Sequence, residues 1–102
     1  MFDNERYITC GISDKVPEEL QQTLWSAIEL QRKFCSQLDY LQVFTFQRIG
    51  KDTLAIRQTQ EEPEFGTTHY TNYKNEYNEI LNEKIFVIDD GDHSTMLFAK
   101  EY

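Results

Sequence analysis

A chain of 102 residues has the size of one ordinary domain and is too short for two. Its hydrophobic content of 39% and aromatic content of 14% suffice for a core, which excludes a disordered polymer. The formal charge of -8, from 18 acids against 10 scattered bases, disfavours direct binding to nucleic acid or an anionic membrane, since both require clustered Lys and Arg.

Cys10 and Cys35 form no CxxC pair, so neither a zinc knuckle nor a thioredoxin-type motif is expected. The opening MFDNERYIT lacks a basic region followed by an apolar run, and no stretch approaches the length of a membrane span. The expectation is a cytoplasmic protein with reduced thiols and no membrane contact.

In chain order, residues 6–12 (RYITCGI) are rich in β-branched and aromatic side chains and predict a strand. Pro17 with Glu18 and Glu19 marks a helix start, favoured by the positive end of the helix dipole. Leu20, Leu24, Ala27, Ile28, Phe34 and Cys35 then recur at helical spacing, predicting one long helix over about residues 16–36. Trp25 falls off that stripe. Either a sheet or loop wraps far enough to cover it, or it is an anchor facing a protein partner.

Residues 39–60 alternate Leu41, Val43 and Thr45 with Tyr40, Phe44 and Phe46, turn at Gly50-Lys51-Asp52, and return through Leu54 and Ile56. That pattern predicts a β-hairpin whose first strand, apolar on both faces, lies inside the sheet. EEPEFG at 61–66 carries Pro63 and Gly66 and predicts a break in pairing. Beyond it, a Thr-rich edge strand over 67–71 competes with a short helix capped by Asn72 and carrying Tyr73, Tyr77, Ile80 and Leu81. KIFVID and STMLFAK flank DDGDH and predict a second hairpin. The sum is a single α+β domain: a mainly antiparallel sheet of about five strands packed against one long helix.

The densest polar cluster is Asp89, Asp90, Asp92 and His93 around Gly91. Hard cations need several carboxylates converging on one point, and these acids lack the spacing of a calcium loop. Asp and Gly here read as turn residues, and no metal or cofactor is expected. A small hydrolase or metal-dependent enzyme built on this loop is the reading set aside, because neither His69 nor His93 lies in a recognisable nucleophile motif.

The remaining signal is the acids. Glu61, Glu62 and Glu64 crowd around Pro63, and Glu18, Glu19, Glu76, Glu79, Glu83, Asp89, Asp90 and Asp92 add to them. Acids gathered on one face would suit a basic protein surface, including the groove of a nucleic-acid-binding protein.

Taken together, RYITCGI, PEELQQTLW, DYLQVF, QEEPEF, KIFVIDDG and MLFAKEY resemble a small family known as domain of unknown function 960. The resemblance spans nearly the whole chain and implies a setting in Gram-positive bacteria, their phages and mobile chromosome cassettes. It implies no catalytic or binding residue. Such cassettes also encode small acidic DNA mimics, which associates the chain with regulation of a DNA-processing protein.

The function expected is therefore a non-enzymatic, acidic protein-binding module. Its candidate contact residues are Trp25, Glu61, Glu62, Glu64, Asp89, Asp90 and Asp92. The alternative is an assembly role as a homo-oligomer, motivated by the apolar groups on both faces of the 40–46 strand.

Overall fold

The structure, a computed structural model, describes residues 1–35 and 37–102. Strand β1 (Glu5–Ile8) leads into a short helix α1 (Cys10–Lys15) and then the long helix α2 (Glu18–Phe34). Three long strands follow, β2 (Leu41–Ile49), β3 (Thr53–Glu61) and β4 (Glu64–Asn72). A 3-10 turn at Asn75–Ile80 connects to β5 (Ile85–Asp89) and β6 (His93–Phe98), and a last 3-10 turn occupies Ala99–Glu101.

The strands form one sheet in the order β1-β6-β5-β2-β3-β4. Every pairing is antiparallel except β1 with β6, which run parallel. This overturns the expected antiparallel sheet of about five strands under one long helix. The sheet has six strands and is mixed, and α2 is one of several helical pieces.

Local chemistry explains each difference. The predicted strand over 6–12 stops at Thr9, whose hydroxyl accepts the Ile12 amide at 3.3 Å and caps α1, so Cys10, Gly11 and Ile12 become helical. Pro17 holds Val16 extended (φ -108°, ψ 113°) and separates α1 from α2, which is why the helix begins at Glu18. Around Pro63 the chain does not break pairing. Glu61 faces Glu64 across a tight turn containing a cis Glu62–Pro63 peptide, and β4 follows in register, with Gly66 opposite Thr59. The competing readings of 67–81 both hold in part, a strand to Asn72 and then a 3-10 turn that buries Tyr77 and Ile80.

The helices cover one face of the sheet. Phe44, Phe46, Leu54, Ile56, Ile85, Val87, Met96 and Phe98 point from the strands toward Leu20, Leu24 and Ile28 of α2, with Ile12 and Phe2 closing the ends. Full burial of each such apolar side chain contributes roughly 1.5–3 kcal/mol. On the opposite face Leu41, Val43, Phe86, Ile88 and Leu97 lie half-buried, and among the described residues no core residue of helix α1 or α2 packs there. β2, between β5 and β3, is interior to the sheet, so its two apolar faces serve the core and this open side.

Candidate functional site

Register decides where the acids lie. Leu41 at the start of β2 faces Ile88 near the end of β5, while Val43 faces Thr59 near the end of β3. The β3–β4 tip with Glu61, Glu62 and Glu64 and the β5–β6 tip with Asp89, Asp90 and Asp92 therefore project from the same end of the sheet. Three strand spacings, roughly 14 Å, separate them.

The acids at this end do two kinds of work. Asp39, just before β2, is buried, and its carboxylate accepts the amides of Glu61 (3.2 Å), Glu62 (3.0 Å) and Leu41 (3.3 Å). Asp89 is likewise buried and accepts the Phe2 amide at 2.7 Å, the Gly91 amide at 2.8 Å and the Asn4 side chain at 3.1 Å. Burial pushes the Asp89 carboxyl up, but the Phe2 and Gly91 amides together with Asn4 outweigh it and hold it below the usual carboxylate range. Asp90 caps the turn, accepting the amides of Asp92 and His93 at 3.0 Å each, and the His93 amide is the largest cause of its lowered pKa.

Glu61, Glu62, Glu64 and Asp92 are exposed. These four are available to a partner; Asp89 is held inside, and Asp90 is half committed to its turn and to His93 Nε2 at 3.0 Å. Among the described residues, no three His, Cys, Asp or Glu side chains converge in a way that would hold a metal ion.

Trp25 is not on the surface. It is only 9% exposed, lying beneath β1, where the Arg6 guanidinium sits 4.8 Å from the ring centre and reaches on to Glu29 at 2.6 Å. The anchor reading of Trp25 falls, because the ring is buried and the Arg6 side chain from β1 lies over it.

Two features were not picked out from the sequence. Gln31, Gln42, Gln58 and Gln60 are all buried and bonded to one another. Gln60 Oε1 accepts from Gln31 Nε2 (3.1 Å), Gln42 Nε2 (2.8 Å) and the Asp39 amide (3.2 Å). Gln58 Nε2 donates to Gln31 and Gln42, and its Oε1 lies 3.0 Å from His69 Nε2. The signal was present: Gln58 and Gln60 continue the period-2 face begun by Leu54 and Ile56.

Above this network, α2 and β4 enclose a cavity of about 140 Å³ lined by Leu30, Gln31, Phe34, Gln58, Phe65 and His69. It is smaller than the roughly 300–1,000 Å³ of ordinary small-molecule sites. Its rim is apolar and open: Leu30 is 49%, Phe34 82% and Phe65 41% exposed. Burial of His69 beside it lowers that imidazole's pKa, favouring the neutral ring.

Comparison with known proteins gives a fold and a family without an activity. The model of the family described as "Staphylococcal protein of unknown function (DUF960)" matches residues 5–101. A crystal structure of a protein of unknown function from Enterococcus faecalis is similar, with TM-score 0.82 and 24% identity over 98% of this chain and 92% of that one. At that identity the likeness shows the fold alone. A comparison with curated proteins gives no match. Among the described residues, no helix is long and apolar enough to cross a membrane.

Proposed function

The chain belongs to the Staphylococcal family of unknown function DUF960, and from that premise we propose that it is a non-catalytic module that binds a basic protein surface through the acidic end of its sheet. The supporting observation is the register that sends both acid-bearing tips out of one end, with Glu61, Glu62, Glu64 and Asp92 free of internal tasks. A field of one sign at one end steers a basic partner and fixes its orientation.

Nucleic-acid-handling proteins are the partner class this reading favours. The separation of the tips, roughly 14 Å, is comparable with the ~12 Å width of a DNA major groove, so a basic groove shaped for phosphates has matching dimensions. The hairpins hold the acids with little freedom, because Asp39 and Asp89 pin the backbone of each tip from within. That preorganisation lowers the entropic cost of binding.

The test is a pull-down from host lysate at low and moderate salt, with and without competing DNA, using the protein and a variant carrying Glu61→Lys, Glu62→Lys and Glu64→Lys. The expected result is a retained nucleic-acid-binding protein that is displaced by DNA, weakened by salt and lost with the variant. Retention that neither salt nor the three reversals disturbs would count against the acidic end as the binding surface.

A further inference from the structure

The sheet has two edges, and they are built differently. β1 has four residues, includes Glu5 and Arg6, and is joined to the body through the Arg6–Glu29 pair. β4 has nine residues, and its register with β3 runs from Glu64 to Asn72 without a bulge. Natural edges are ordinarily blunted by lysine, proline, bulges or brevity. Within β4 the only charged side chain is Glu64, at its first position, and no proline interrupts it.

The backbone direction at this edge follows from one bond. The Tyr73 amide donates to the Asp52 carbonyl at 2.8 Å, and Thr53 faces Asn72 in register. Hydrogen bonding alternates along an antiparallel strand, so the odd-numbered residues of β4 bond to β3. The even-numbered Glu64, Gly66, Thr68, Tyr70 and Asn72 turn their amides and carbonyls outward.

We propose that β4 is a self-pairing edge: two copies of this chain join β4 to β4 antiparallel about a two-fold axis at Thr68, making one continuous sheet. This register pairs all five outward residues, Thr68 with itself, Gly66 with Tyr70 and Glu64 with Asn72. It forms about ten inter-strand hydrogen bonds. The same two-fold sets Glu62 of one copy opposite Lys74 of the other, a basic residue whose ammonium also pairs with Glu19 of its own chain. Tyr70, 69% exposed, comes to lie across from Gly66, over which the Arg57 side chain from β3 already lies within each copy.

The helix side of the edge supplies the apolar component. Thr67 and His69, which flank the axis, line the cavity beneath Leu30 and Phe34. Pairing therefore brings the C-terminal halves of the two α2 helices together over the axis. Leu30, Phe34 and Phe65, the exposed apolar rim, become the contact between them. An isologous contact of this kind is self-complementary and closes as a dimer.

Size-exclusion chromatography with light scattering, from micromolar to near-millimolar protein, tests this together with amide hydrogen exchange. The expected result is a mass rising to twice the monomer, with Gly66, Thr68 and Tyr70 amides protected in the dimer. Thr68→Pro removes an outward amide that no intrachain bond uses, and Phe34→Glu puts charge on the most exposed rim residue. Each should weaken association at least tenfold, and Phe34→Glu does not touch the folded core if the proline variant is poorly folded. Three results overturn the proposal: a monomer at every concentration with those amides unprotected, a dimer that Phe34→Glu leaves at full strength with β4 amides exchanging freely, or β4 amides protected only when another protein is added.

Discussion

At the scale of single residues, burial divides α2 against its apolar stripe, leaving Phe34 on the stripe exposed and Trp25 off it covered. Trp25 and Phe34 are both on α2, yet Trp25 is covered by Arg6 while Phe34 stands 82% exposed. The Trp25→Ala substitution should cost about 3–5 kcal/mol, as for a core aromatic, measured by denaturant unfolding. Arg6→Ala should cost only about 0.5–1 kcal/mol and shift the fluorescence of the single tryptophan to the red as water reaches the ring. An unshifted spectrum would mean that Arg6 does not cover Trp25. The buried glutamines bond among themselves: Gln42, Gln58 and Gln60 occupy positions the strand period marks as internal, and Gln31 reaches them from α2.

At the scale of elements, the hairpins were legible because their signals are local, whereas the Thr9 cap was hidden inside a β-branched run and Asn72 ends a strand instead of capping a helix. The second hairpin appears where an Asp-Gly cluster interrupts two alternating runs, and Gly91 takes the positive φ of 102° that its turn requires. The strand β4 was obscured because Pro63 and Gly66 resemble breakers, whereas a tight turn and an edge position accommodate them. Asp89 joins two elements far apart in sequence, holding the N-terminal segment through Phe2 and Asn4 and the β5–β6 turn through Gly91. Asp89→Ala should therefore lower stability by about 2 kcal/mol, whereas Asp92→Ala, on the exposed side of the same turn, should change it by less than about 0.5 kcal/mol. Equal effects in thermal unfolding would remove Asp89 from its tying role.

At the scale of the whole molecule, the charges set a pH window of stability. Asp89, Asp90, Glu19 and Glu101 all have lowered pKa values in the folded state, so the unfolded chain takes up their protons first on acidification. Their stabilisation is present above the ordinary carboxylate range and is lost as pH falls through it. His69, lowered from 6.5 by burial, adds a loss that begins below that value, because the unfolded imidazole protonates before the folded one. On the basic side, burial and the bond to Glu19 push the Tyr77 phenol from 10.0 up to about 12. The folded state then keeps a proton that the unfolded chain releases, and stability falls as pH rises past 10. Unfolding followed from about pH 3 to about pH 11 should show a plateau between the histidine and tyrosine limits. A Tyr77→Phe variant should remove part of the alkaline decline, and an unchanged decline would exclude Tyr77 as its source.

The sequence by itself determined the buried Leu20, Leu24, Ala27 and Ile28 of the long helix, the turn at Gly50, the turn at Gly91 and the acidic balance, because spacing and turn chemistry act over a few residues; Phe34 and Cys35, read onto the same stripe, fall outside the core. Only the tertiary structure decided that β1 runs parallel to β6, that Arg6 covers Trp25, and that the acids of two separate hairpins share one end. Glu5 pairs with His93 and Phe2 bonds to Asp89, contacts between segments more than eighty residues apart. Their formation depends on how the core packs and how strands order themselves around it, which no local pattern of side chains encodes.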